Sequence, residues 1–208
     1  TVSPLSENYP DYRDRGLLVG SDQGVEFHQT IQDKGMAAPM PVAFYDPTNP
    51  ETRQYVWYLV SRNYLKHGIR VFWLDACEPE LNPAHPQSLM LYAGVGAEVA
   101  NIYPRDNARL FAEGMAAAGR EPTVLLSRSA WAGSQRYGAA VWSGDIPATW
   151  QSLHQQVRAG LNVAMSGIPW WTTDIGGFHG GDARDPAYRE LFVRWFQFGA
   201  FCPLFRLH

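Results

Sequence analysis

From residue 39 onward, short apolar runs that stop on a polar or charged residue alternate with stretches of helical spacing. This alternation constrains the fold most, because strands joined through helices must run parallel and have their faces covered. Strands are expected at 41–45, 69–74, 122–127 and 138–143, with a last one ending at His208. The first helix follows the turn D-P-T-N-P at 46–50, carries Val56, Trp57, Val60 and Tyr64 at helical spacing, and stops at Gly68. Further helices are expected at 105–119, with Leu110, Phe111 and Met115 inward, at 148–160, with a stripe of Trp150, Leu153, Val157 and Leu161, and at 186–199. Residues 161–166 and a turn then lead into W-W-T-T-D at 170–174, and the Pro- and Gly-bearing stretch 79–103 suits an active-site rim. Residues 1–38 read as loops with a hairpin, a rim segment or insertion ahead of a barrel unit over 39–208. The pattern predicts a (β/α)8 barrel of which about five strands are present, against about eight in the complete set. A doubly wound open sheet alternates in the same way and stays as the alternative.

Composition narrows the function classes. A net charge of −3 and a pI near 6.0 give no electrostatic reason to expect nucleic acid or an anionic membrane as partner. No run reaches the roughly 18 apolar residues of a membrane span. Cys77 and Cys202 form neither a disulfide framework nor a zinc spacing, and read as small buried residues. Gly94-Val95-Gly96 lacks the third glycine of a dinucleotide fingerprint, His85 and His179 lack the paired spacing of a metal site, and no G-x-S-x-G elbow is present. No cofactor and no metal are called for.

Two strings carry the chemistry. V-F-W-L-D-A-C-E-P-E at 71–80 and A-V-W-S-G-D-I-P-A-T-W at 140–150 are apolar runs closed by carboxylates, Asp75 and Asp145. A carboxylate at the mouth of a buried strand is costly unless it is paired or used. Two of them beside tryptophans suit a retaining glycoside hydrolase, in which carboxyl groups about 5 to 5.5 Å apart attack the sugar and move the proton. Asp75 as nucleophile has to stay ionised, and Arg128, also at a strand end, is the leading cation for it. An apolar surround would suit Asp145 as the acid. The structural alternatives are a turn cap for Asp75 and an N-cap of the helix near Ala148 for Asp145. Glu78 either orients the site through hydrogen bonds or caps the turn before Pro79, and Asp174 either binds sugar hydroxyls or makes an Asx turn. Trp73, Trp142 and Trp170 are candidates for stacking on a sugar, and His208 could hold a hydroxyl.

Taken together, these motifs resemble the catalytic barrel of glycoside hydrolase family 31, the α-glucosidase and α-xylosidase family. The resemblance runs from about Pro10 to His208. It rests on D-P-T-N-P-E at 46–51, W-L-D-A-C-E-P at 73–79, L-S-R-S at 126–129, W-S-G-D at 142–145, G-L-N-V-A-M-S-G-I-P-W-W-T-T-D-I-G-G-F at 160–178 and R-W-F-Q-F-G-A-F-C-P-L-F-R-L-H at 194–208. It implies Asp75 as nucleophile, Asp145 as acid/base, Arg128, Asp174 and His208 as sugar-binding residues, and Trp73 and Trp142 as pocket walls, with Glu78 among the residues facing substrate. It further implies a double-displacement hydrolase of terminal α-linked xylose or glucose, acting on an oligo- or polysaccharide. An α-galactosidase, a transglycosidase or a non-catalytic sugar-binding fragment is the alternative. Family members are much longer, so flanking domains and the first barrel strands are expected outside this chain. The wording of the two acidic strings is similar to bacterial α-xylosidases and α-glucosidases, and localisation and oligomeric state are left open.

Overall fold

The computed structural model describes residues 1–32, 36–78 and 86–207; the expected rim residues 79–85, which include His85, and the site residue His208 lie outside these. In chain order the elements are α1 (Tyr9–Asp14), β1 (Gly20–Ser21), β2 (His28–Ile31), β3 (Met40–Ala43), α2 (Pro50–Asn63), β4 (Phe72–Leu74), β5 (Leu89–Leu91), β6 (Gly94–Val95) and α3 (Gly96–Val99). They continue with α4 (Tyr103–Ala117), β7 (Leu125–Ser127), β8 (Ala139–Trp142), α5 (Trp150–Met165), β9 (Trp171–Thr172) and α6 (Pro186–Gly199).

The site is carried by a parallel sheet that has, among the described residues, four strands in the order β4-β7-β8-β9. Its register aligns Leu74 with Ser127, Ser127 with Val141 and Trp142 with Thr172, so the C-terminal ends of all four strands lie along one edge. Phe72 and Leu74 on β4 are buried with Leu125 of β7 and Ala139 of β8 against Val56 of α2 and Leu110, Phe111 and Met115 of α4. Trp73 points the other way, as alternation along a strand requires, and lies edge-on to Trp142 at 5.7 Å between ring centroids. Helices therefore cover one face of the sheet while the other gathers aromatic and polar side chains.

Side-chain caps set the helix starts. Asn49 accepts from the Glu51 N–H, Thr149 from the Ser152 N–H and Asp185 from the Ala187 N–H, with Pro50 and Pro186 just inside two of the three starts. Each such cap stabilises its helix by about 1 kcal/mol. Gly68, at φ 89°, closes the turn after α2 as expected.

Four expectations need correction. Residues 9–14 form a helix, too short and polar for its apolar spacing to stand out, and β2 pairs antiparallel with β3 in a hairpin from His28 to Ala43. The run at 41–45 therefore contributes β3 to that hairpin and not to the parallel sheet. Helix α5 continues through 161–165, and half of its expected stripe faces outward: Leu153 is buried, whereas Trp150 and Leu161 are exposed. No strand forms at 201–207; a single parallel bridge joins Leu207 to Ile175.

Candidate active site

The polar residues at the strand ends meet because the strands are parallel and in register. Asp75 follows β4, Arg128 follows β7, Asp145 lies three residues beyond β8 and Asp174 two beyond β9. The Arg128 N–H donates to the Leu74 carbonyl at 3.1 Å, which extends the β4–β7 ladder up to the site. From there its guanidinium places Nη1 3.1 Å from Asp75 Oδ1 and forms a two-point contact with Glu78, Nε to Oε1 and Nη2 to Oε2, each at 2.9 Å. Arg128, Glu78, Ser129, Ser143, Gly144 and Asp145 line one cavity of about 460 Å³. Asp75 and Glu78 thus meet on Arg128, and Glu78, Arg128 and Asp145 share one cavity.

The turn that carries Asp75 and Glu78 is strained. Ala76 has φ 47°, a left-handed conformation that a residue with a side chain adopts at a cost of about 1 to 2 kcal/mol. The Ala76 N–H donates back to Asp75 Oδ1 at 2.9 Å, so the expected turn-capping role of Asp75 is present alongside its ion pair. Below the turn, Cys77 is buried, with Sγ 3.2 Å from the Leu74 carbonyl oxygen and 3.3 Å from Ser127 Oγ. Both cysteines are free thiols, Cys202 only partly buried.

Asp145 does not cap α5; that place belongs to Thr149. Its side chain is exposed and not set in the apolar surround the sequence suggested, because Gly144 and Ile146 beside it turn into the fold and leave it facing the cavity.

A second group stands beside the first. Asp174 is fully buried, and its Oδ1 accepts from Arg206 Nη1. The Arg206 guanidinium lies 5.6 Å from the ring centroids of both Trp73 and Trp142. Ser143, which lines the cavity with Asp145, donates to Thr173 Oγ1 at 2.9 Å and ties the two groups together. Sequence reasoning missed Arg206; the signal was a charged residue inside the otherwise apolar run F-C-P-L-F-R-L-H. Trp142 is buried beneath this pair, and Trp73, half-exposed, presents a ring face. Trp170 is a correction. It precedes β9 and lines a different cavity with Thr123, Val124 and Pro169, at the N-terminal ends of the strands and away from the carboxylates. Among the described residues, no group of three or more His, Cys, Asp or Glu could hold a metal ion.

The arrangement offers a carboxylate held beside a cation, a second carboxyl in the cavity that the cation lines, and tryptophans next to them. Comparison with known proteins gives the family. An α-xylosidase from a soil metagenome, solved in complex with xylose, superposes with a TM-score of 0.91 and 48% identity over 100% of this chain and 30% of its own. An uncharacterized family 31 glucosidase, ORF2, of Pseudescherichia vulneris is 45% identical over 100% of this chain and 38% of its own. The α-xylosidase of Saccharolobus solfataricus is 40% identical over 88% of this chain and 25% of its own. The chain thus spans between a quarter and two-fifths of the length of these relatives. The family described as "Glycosyl hydrolases family 31 TIM-barrel domain" matches residues 2–208, and the chain belongs to glycoside hydrolase family 31, of whose barrel it forms a part.

Proposed function

We propose that this chain supplies the nucleophile and the acid/base of a retaining α-glycoside hydrolase that removes terminal α-linked xylose or glucose. The observation that carries the reading is the placement of Arg128, 3.1 Å from Asp75 Oδ1 and in the same cavity as Asp145. In the first step the Asp75 carboxylate attacks the anomeric carbon while protonated Asp145 gives its proton to the departing glycosidic oxygen. A glycosyl ester on Asp75 results. In the second step Asp145, now a carboxylate, takes a proton from water, the water oxygen attacks the anomeric carbon, and Asp75 leaves as the carboxylate. Two inversions give net retention. Asp174, Arg206 and Trp73 are assigned to the sugar side of the pocket, and the family resemblance adds His208, outside the described residues, as a sugar-binding residue. Xylose is favoured over glucose by the solved relative that holds xylose.

The test uses the whole protein with an aryl α-xyloside and an aryl α-glucoside, following the product by NMR. The α-anomer appears first; a β-anomer as first product excludes double displacement. Asp75→Asn abolishes turnover. Asp145→Ala spares the first step for aryl groups that leave without protonation and slows it most for alkyl groups; an equal loss for both removes Asp145 from the acid role.

A further inference from the structure

Asp75 and Glu78 share one guanidinium, and they share it unequally. Arg128 sets Nε and Nη2 side by side on the two oxygens of Glu78, both at 2.9 Å, and offers Nη1 to Asp75 Oδ1 at 3.1 Å. Two parallel contacts fix the plane of a guanidinium, which a single contact or an ammonium group cannot do. From these contacts we infer that Glu78 is a positioning residue: it holds Arg128 so that Nη1 faces the nucleophile, and it does not itself grip the sugar.

The local chain is built for this. The left-handed turn at Ala76 reverses the backbone so that two carboxylates three residues apart reach the same cation. The buried Cys77 between them is held underneath by Leu74 and Ser127 and fixes that reversal from below. The Arg128 stem passes close to Gly144, where an added Cβ would stand 3.9 Å from Cγ and Cδ, so the loop that carries Asp145 packs on the arm that Glu78 orients.

The inference rests on the proposed glycosidase chemistry, and its test separates the two. In the whole protein, Glu78→Gln, Arg128→Lys and the double variant are assayed with an aryl α-xyloside and with an activated fluoroglycoside that traps the ester on Asp75. Glu78→Gln is expected to lower kcat and the trapping rate about 10- to 100-fold, the range of a hydrogen bond to a charged partner. KM stays within about threefold, and the double variant is no worse than Arg128→Lys alone within a similar margin. A raised KM at unchanged kcat, or losses that multiply in the double variant, would make Glu78 an independent sugar ligand and overturn the inference. Absence of turnover in the unsubstituted protein overturns the functional reading instead. A crystal structure of Glu78→Gln reads the clamp without activity: Nη1 moves beyond hydrogen-bond distance of Asp75, and a retained contact refutes the inference. If Glu78→Gln fails to fold, Glu78→Asp takes its place; it keeps the charge, cannot span both nitrogens, and is expected to show a smaller loss of the same kind.

Discussion

Asp174 and Arg206 form an ion pair with almost no water at the carboxylate, at side-chain exposures of 1% and 16%. Removing one partner of such a pair takes away compensation of a buried charge, which typically costs about 3 kcal/mol. Arg206→Leu is therefore expected to lower the stability of the whole protein by that amount in a denaturant titration. Arg206→Lys should lose less, since it keeps the charge and gives up the planar contact with Trp73 and Trp142; equal losses would mean that the charge contributes nothing. Asp46 gives a prediction in pH. Burial pushes its carboxyl above the usual 3.8 and outweighs the hydrogen bonds it accepts from Thr48 and the Tyr92 N–H, which act the other way. A carboxyl raised on folding contributes stability that is fully present below its unfolded value and fades as pH rises through its folded value. The melting-temperature advantage of the native protein over Asp46→Asn should thus shrink as pH rises above the usual 3.8; an advantage that grows with pH would show a lowered carboxyl instead. Asp75, Asp145 and Arg128 were legible in the sequence because a charged residue closing an apolar run has few structural uses. Arg206 was not, because its partner lies 32 residues away and only the fold brings them together.

The loops after β8 and β9 act as one unit. The N–H groups of Phe178 and His179 both donate to the Ile146 carbonyl, at 2.7 and 3.1 Å, and the Ala148 N–H donates to the His179 carbonyl at 2.8 Å. Gly177, at φ 88°, allows this closeness, for a Cβ there would stand 2.5 Å from Ala148 Cα. Gly177→Ala should part the loops that hold Asp145 and Asp174. It is expected to cost about 2 kcal/mol of stability from strain at a left-handed site and to reduce kcat/KM at least tenfold, as a 1 Å displacement of catalytic groups can. Unchanged kinetics would mean that Asp145 is held from elsewhere. Glycine also bears on the end of α5. The expected helix ends at residue 160, but Gly160 sits inside the helix where Trp171 packs, a Cβ there falling 2.7 Å from the ring; the helix is followed by Gly167, at φ 86°. The same letter serves close approach or termination, and only the neighbour decides which. Residues 201–207 misled for a related reason. Their apolar run contains Pro203, which has no N–H for a ladder, and the segment is fastened by Thr172 Oγ1 donating to the Leu204 carbonyl at 2.6 Å.

At the scale of the molecule, the parallel arrangement was legible because helix and strand periods alternate, whereas how many strands pair was not, because pairing depends on partners distant in sequence. Among the described residues the parallel sheet ends at β4 on one side and β9 on the other. A barrel closes by pairing about eight strands around a filled interior; among the described residues β4 has a strand partner on one side only, and beyond β9 there is a single parallel bridge, Ile175 to Leu207. The surface agrees: Val71 beside β4 is 74% exposed, Met165 at the end of α5 88% and Phe201 after α6 91%. Unpaired strand edges next to apolar side chains template association. Residues 1–208 expressed alone are accordingly expected to bind an apolar dye, to sediment as concentration-dependent oligomers, to unfold over a broad temperature range, and to show no glycosidase turnover. The whole protein, assayed in parallel, should bind little dye and melt cooperatively. A monodisperse, cooperatively melting 208-residue monomer with turnover near that of the whole protein would show that the four-stranded sheet and its covering helices suffice, and that the open edges carry no penalty.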